Sequence, residues 1–118
     1  MAKTILVIDD DRTLIRAIEK VLQEHEYQVF TANDGLEGLS VFQKGGIDLV
    51  LLDIEMPTMN GYSFLFELRK LRNGVNTPVI VLTCKDKMED IFRVEGVREY
   101  VIKPVNSTVL LEIIKKHI

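Results

Sequence analysis

The chain has one cysteine, three prolines and no tryptophan among its 118 residues. A single thiol, Cys84, excludes an internal disulfide and fits a reducing compartment, so a hydrophobic core alone must hold the fold. No apolar stretch is long enough to cross a bilayer. The four-residue run after Met-Ala-Lys-Thr ends in acids, too short for a signal peptide. A cytoplasmic location without membrane association is therefore expected. Excess positive charge is missing too: fifteen basic and eighteen acidic residues leave a net charge of −3. That balance speaks against direct nucleic-acid binding, because phosphate backbones favour basic faces. Repeats, linkers and low-complexity segments are also lacking. What is present is ordinary for a globular domain, 47% hydrophobic and 28% charged. The length suits one domain over 1–118, and such a domain buries roughly two thirds of its unfolded surface.

Short apolar runs alternate with helical patterns. Ile5-Leu6-Val7-Ile8, Leu49-Val50-Leu51-Leu52 and Val79-Ile80-Val81-Leu82 are apolar on both faces, as strands inside a parallel sheet are. Gln28–Ala32 and Tyr100–Ile102 are weaker strand candidates. Leu14, Ile15, Ile18, Val21 and Leu22 recur at helical spacing behind Asp11, a fitting N-cap. Leu36, Leu39 and Phe42 mark a second helix closed by Gly45-Gly46, and Phe64, Leu65, Leu68 and Leu71 a third ending near Asn73-Gly74. A fourth is expected between Asp86 and Glu95, closed by Gly96. Asn106 or Ser107 caps a fifth, which buries Leu110, Leu111, Ile113 and Ile114 and ends in Lys115-Lys116. The expected fold is α/β: (βα)₅, a doubly wound, five-stranded parallel sheet.

In such sheets ligands sit at the carboxyl ends of the strands, so the residues after each run carry the chemistry. Asp9-Asp10-Asp11 follow the first run, Asp53 the third, Thr83-Cys84 the fourth and Lys103-Pro104 the fifth. Each alone reads as capping, turn or strand chemistry. Parallel topology brings all four loops to one edge. Converging carboxylates repel unless a cation sits among them, and an all-oxygen donor set without His or Cys selects a hard ion, Mg²⁺. An amine and a hydroxyl alongside are the groups that hold phosphoryl oxygens. An Asp there can act as a nucleophile and form an acyl phosphate.

Ile8-Asp9-Asp10, Asp53-x-x-Met56-Pro57 with Gly61, Thr83, and Tyr100-x-x-Lys103-Pro104 together resemble bacterial response-regulator receiver domains of the chemotaxis-regulator kind. The resemblance runs from Lys3 to the C-terminal helix and implies the flavodoxin-like strand order 2-1-3-4-5. It implies Asp53 as phosphoacceptor, Asp10 as direct Mg²⁺ ligand, Asp9 as a ligand through water, and the backbone carbonyl of Glu55 as a further ligand. Lys103 and Thr83 would contact the phosphoryl oxygens, with a cis Lys103-Pro104 bond, and Tyr100 would be the rotating aromatic of the switch. The phosphoryl donor would be a sensor histidine kinase or phosphotransfer protein. A downstream output protein or domain would read the surface of the fourth helix, fifth strand and fifth helix. The chain would act as a monomer or a phosphorylation-dependent dimer, a regulatory domain that catalyses only its own phosphorylation and dephosphorylation. Two departures stand out: the segment from Thr83 to Lys103 is shorter than is common, and Cys84 replaces the usual Ala or Gly.

Three other readings share part of this chemistry. A phosphatase of the haloacid-dehalogenase type would carry its nucleophile in a D-x-D arrangement after the first strand. An FMN-binding protein needs a hydroxyl- and Gly-rich loop there, where this chain offers carboxylates. A receiver-like domain without phosphorylation would have no need of Asp10, Asp53 and Lys103 together. Elsewhere, His25 and His117 read as solvated and Cys84 and Met88 as core. Glu67, Arg69, Lys70 and Arg72 read as the wet face of the third helix, and Glu55 and Lys85 as a charge pair across the mouth of the site.

Overall fold

A computed structural model describes residues 2–54, 61–71, 74, 76–83 and 97–118. Five strands form one parallel sheet: β1 (Thr4–Ile8), β2 (Gln28–Ala32), β3 (Leu49–Asp53), β4 (Val79–Thr83) and β5 (Val97–Ile102). Their order is β2-β1-β3-β4-β5, as the resemblance implied. Among the described residues four helices accompany them: α1 (Arg12–Glu24), α2 (Gly35–Gln43), α3 (Gly61–Leu68) and α4 (Ser107–His117). The helix expected at 86–95 and its Gly96 stop lie outside the described residues, as do Glu55 to Asn60, Arg72, Asn73, Cys84, Lys85 and Met88.

Strand alternation splits the core into two layers. Leu6, Ile8, Val50, Leu52, Val79 and Val81 pack toward α2 and α3, where Phe42, Phe64 and Leu68 meet them. Ile5, Val7, Leu49, Leu51, Ile80 and Leu82 face α1 and α4, against Ile15, Ile18, Leu22, Leu110 and Ile114. The three central strands are buried on both faces, which is why their sequences read as unbroken apolar runs. The edge strand β2 buries only Ala32 fully, so its signal is weaker.

β5 begins three residues earlier than its apolar pattern suggests. Its register against β4 slips between Val79↔Val97 and Ile80↔Glu99, leaving Arg98 as the extra residue of a bulge. Val97 and Tyr100 consequently both face the α2/α3 layer, while Val101 faces α4. The bulge thus restores inward packing across two charged residues that break the apolar alternation.

Caps behave as their residue types dictate. Asp11 Oδ1 accepts from the backbone N–H groups of Thr13 (3.0 Å) and Leu14 (3.2 Å). Asn106, rather than Ser107, caps α4 by accepting from Val109 N. Gly45 and Gly46 follow α2 with φ of 90° and 85°, a left-handed conformation that stops the helix at low cost only in glycine.

The third helix is shorter than the run ending in Leu71 implied. After Leu68 the chain tightens into i→i+3 bonds, Lys70 N to Glu67 O and Leu71 N to Leu68 O. Arg69 drives this change. Its guanidinium donates to the carbonyls of Gly74 and Thr77 and ties the turn to the start of β4, so it is not on a wet face. Lys70 is exposed as expected and stacks 4.4 Å from the Phe66 ring centroid.

Candidate functional site

Adjacent carboxyl ends at β1 and β3 arise because the chain leaves β1 for β2 and returns to β3 on its other side. That reversal opens a crevice just past both strands. Asp9 follows β1 and is fully buried, its N–H donating to Ala32 O. Asp53 is the last residue of β3 and is also buried. Asp10, next to Asp9, is exposed. Carboxylate oxygens of Asp9, Asp10 and Asp53 all lie within 4.8 Å of one another. The convergence inferred from topology is therefore present.

Each side chain is set by its own local structure. Asp9 Oδ1 accepts from Asp11 N at 2.9 Å, which turns the acidic triplet back on itself as Asp11 caps α1. Asp9 Oδ2 lies 2.9 Å from Lys103 Nζ, an ion pair rather than an aligned hydrogen bond. The same ammonium stands 3.6 Å from Asp53 Oδ1. Lys103 follows β5 directly; its N–H donates to Thr83 O at 2.8 Å, and the Lys103-Pro104 bond is cis. Thr83 ends β4, fully buried, in register with Ile102. Tyr100 is half-buried against the α2/α3 layer, in register with Val81 two residues before Thr83.

Electrostatics here oppose one another. Burial works to lower the Lys103 pKa, but the polar contact with Asp9 and the charges of Asp9, Asp53 and Asp10 outweigh it, holding Lys103 above the ordinary value of 10.5. The lysine is charged at neutral pH, yet one ammonium does not balance three carboxylates. The surplus of negative charge, the all-oxygen donor set and a buried Asp9 Oδ2 that accepts no aligned hydrogen bond suit a small hard cation. Glu55, whose carbonyl was implied as a further ligand, lies outside the described residues.

The response regulator receiver domain profile matches residues 5–115. This chain belongs to that family. Among relatives of this receiver, PilH of Pseudomonas aeruginosa is 35% identical over 112 residues, covering 93% of each chain. Sensor histidine kinase CheAY of Helicobacter pylori is 38% identical over 118 residues, 97% of this chain. The chain spans only 15% of CheAY and about half of several transcriptional regulators that it also matches. The crystal structure of response regulator TrrA from Thermotoga maritima, in complex with Mg(2+)-BeF, superposes with a TM-score of 0.86 at 36% identity, covering 98% of this chain and 99% of TrrA. Receiver domains are regulatory domains of phosphorylation-dependent signalling. Among the described residues no helix is long and apolar enough to cross a membrane.

Besides the Arg69 contacts, a pairing between β5 and α4 escaped sequence reasoning. His117, read as solvated, places Nε2 2.6 Å from Glu99 Oε2, and Lys116 Nζ lies 3.7 Å from Glu99 Oε1. The pairing joins the end of α4 to β5 across 18 positions, and the bulge at Arg98 is what turns Glu99 to that side. No local spacing announces it. His25 is exposed as expected, its ring 2.9 Å from Val21 O.

Proposed function

We propose that this receiver takes a phosphoryl group on Asp53, with Mg²⁺ at the acid cluster, and relays that state through β5 and the C-terminal helix. The carrying observation is a buried strand-end carboxylate, 3.6 Å from an ammonium and within 4.8 Å of two further carboxylates. Asp9, Asp10, Asp53 and the Glu55 carbonyl would hold the ion. Bound there, Mg²⁺ supplies positive charge to the phosphoryl oxygens as negative charge develops on them. The Mg(2+)-BeF complex of TrrA supports this assignment.

Asp53 is the nucleophile. A carboxylate oxygen attacks the phosphorus of a phosphohistidine donor, forming an O–P bond as the P–N bond breaks. The electron pair returns to the donor imidazole. Lys103, already beside Asp53, neutralises the incoming oxygens. The Thr83 hydroxyl donates to one of them, and Tyr100 moves into the space that opens toward Thr83. Hydrolysis reverses the state, as water attacks phosphorus and the Asp53 carboxylate leaves. The domain catalyses nothing besides its own phosphorylation and dephosphorylation. The donor is a cytoplasmic sensor histidine kinase or phosphotransfer protein. The reader is an output protein or domain at β5, α4 and the segment between Thr83 and Val97.

Incubation with acetyl phosphate and Mg²⁺ should add one phosphoryl mass to the chain, and Asp53→Asn should abolish it. Equal labelling of that variant would refute the acceptor assignment.

A further inference from the structure

The two edges of the sheet meet solvent differently. β5 carries a bulge at Arg98 and two charged residues, and Glu99 is tied to His117 and Lys116 of α4. Bulges and charges keep an edge strand from pairing with another chain. β2, the opposite edge, has neither. Its residues, Gln-Val-Phe-Thr-Ala, include no charge, proline or glycine, and its register with β1 runs unbroken from Gln28 to Ala32. At its middle, Phe30 is 43% exposed.

The backbone of β2 dictates how a further strand would join. Gln28 N donates to Lys3 O and Ala32 O accepts from Asp9 N, so both residues turn their polar groups toward β1. Along a strand these groups alternate in direction. Phe30 therefore also bonds toward β1, while Val29 and Thr31 point outward, where no described strand lies. A second β2, antiparallel and related by a two-fold axis at Phe30, sets Val29 of each copy opposite Thr31 of the other. Both pairs exchange N–H···O=C bonds in each direction. Phe30 then falls opposite its own counterpart in the close, non-bonded position, an aromatic pair that covers its exposed ring. No like charges oppose one another along the strand, so β2 is complementary to itself.

We infer that β2 is a self-association edge, along which two copies of this chain join antiparallel about Phe30 into one continuous sheet of ten strands, five from each copy. The two acid clusters then lie at opposite edges of the dimer, because the strands run in opposite directions. Each cluster sits between β1 and β3, and the β5–α4 surface is at the far edge of its sheet. Neither takes part in the seam, so the pairing is independent of Mg²⁺ and of phosphorylation.

Sedimentation equilibrium of the full chain, over a concentration series reaching about 1 mM, should show a monomer–dimer equilibrium that neither Mg²⁺ nor beryllofluoride shifts. Phe30→Lys sets two ammonium groups against each other at the axis and should weaken dimerisation about tenfold or more. Thr31→Pro removes an outward N–H while leaving the ladder to β1 whole, and should weaken it about tenfold as well. Circular dichroism checks each fold, and either variant suffices should the other not fold. Cross-linking reads the register. In a Cys84→Ser background, Phe30→Cys should form a disulfide-linked dimer with oxidised glutathione, because residue 30 meets its own counterpart. Gln28→Cys, which would face Ala32, should not. A chain monomeric throughout the series, a dimer that both substitutions leave intact, or cross-linking at Gln28→Cys and not at Phe30→Cys overturns the pairing. A dimer that forms only with beryllofluoride overturns it too, and places the interface on the switch surface instead.

Discussion

Replacing Asp10 by Asn removes one charge from the cluster without touching the buried Asp9 or the acceptor. Its carboxylate lies within 4.8 Å of those of Asp9 and Asp53, so each pair repels by at least about 0.9 kcal/mol at the dielectric of water. Water's dielectric is the appropriate choice because Asp10 is exposed. The two pairs together come to at least about 1.8 kcal/mol, and attraction to Lys103, the weakest of that lysine's charge interactions, returns part of it. A net relief of about 1 kcal/mol remains, worth roughly 4 °C in melting temperature for a domain of this size. Thermal unfolding in chelator and low salt should show Asp10→Asn more stable than the natural chain. The gap should narrow in high salt as the charges are screened. With Mg²⁺ at about a hundred times its dissociation constant, the natural chain gains about 2.7 kcal/mol, and the variant should lose most of that gain. A metal-free Asp10→Asn protein less stable than the natural one would show that the three acids are not strained, and the electrostatic case for a cation would fail.

The raised pKa of Lys103 makes metal-free stability fall at alkaline pH. Its ion pairs contribute fully below the ordinary lysine value and are lost as pH rises through the folded one, so the gap between the natural chain and Lys103→Met in chelator should stay level through neutral pH and close above about pH 10. A gap unchanged to the alkaline limit would deny the coupling. Between Glu99 and His117, urea unfolding of Glu99→Gln, His117→Gln and the double variant should show each single change costing up to about 1 kcal/mol and the double adding little. Fully additive losses would mean that the two side chains do not interact.

The strands and helices were legible wherever packing is two-sided or a cap is local. Val50 and Val81 lie in buried strands that are apolar at every position before the last, Asp53 and Thr83, and Asp11 announces α1 by the bonding its side chain makes two and three residues on. Legibility failed where a long-range contact overrode a local pattern. Leu71 continues the periodicity of the third helix, yet Arg69 turns back to the Gly74 and Thr77 carbonyls and ends it. Glu99 interrupts an apolar pattern that a bulge later rescues, so β5 read shorter than it is.

For the site, the residue types and their positions after apolar runs determined which groups would meet, because parallel strands with crossover helices can only gather their carboxyl ends at one edge. Asp9, Asp10, Asp53, Thr83 and Lys103 were identifiable on that ground alone. Only the tertiary structure decided who pairs with whom. Both Asp9 and Asp53 could have taken the ammonium; the 2.9 Å and 3.6 Å separations, with Asp9 the deeper of the two, assign it first to Asp9. Likewise His117 finds Glu99 only because the bulged strand and the last turn of α4 arrive side by side. Distances of that kind come from packing across the whole sheet, and a one-dimensional pattern holds no record of them.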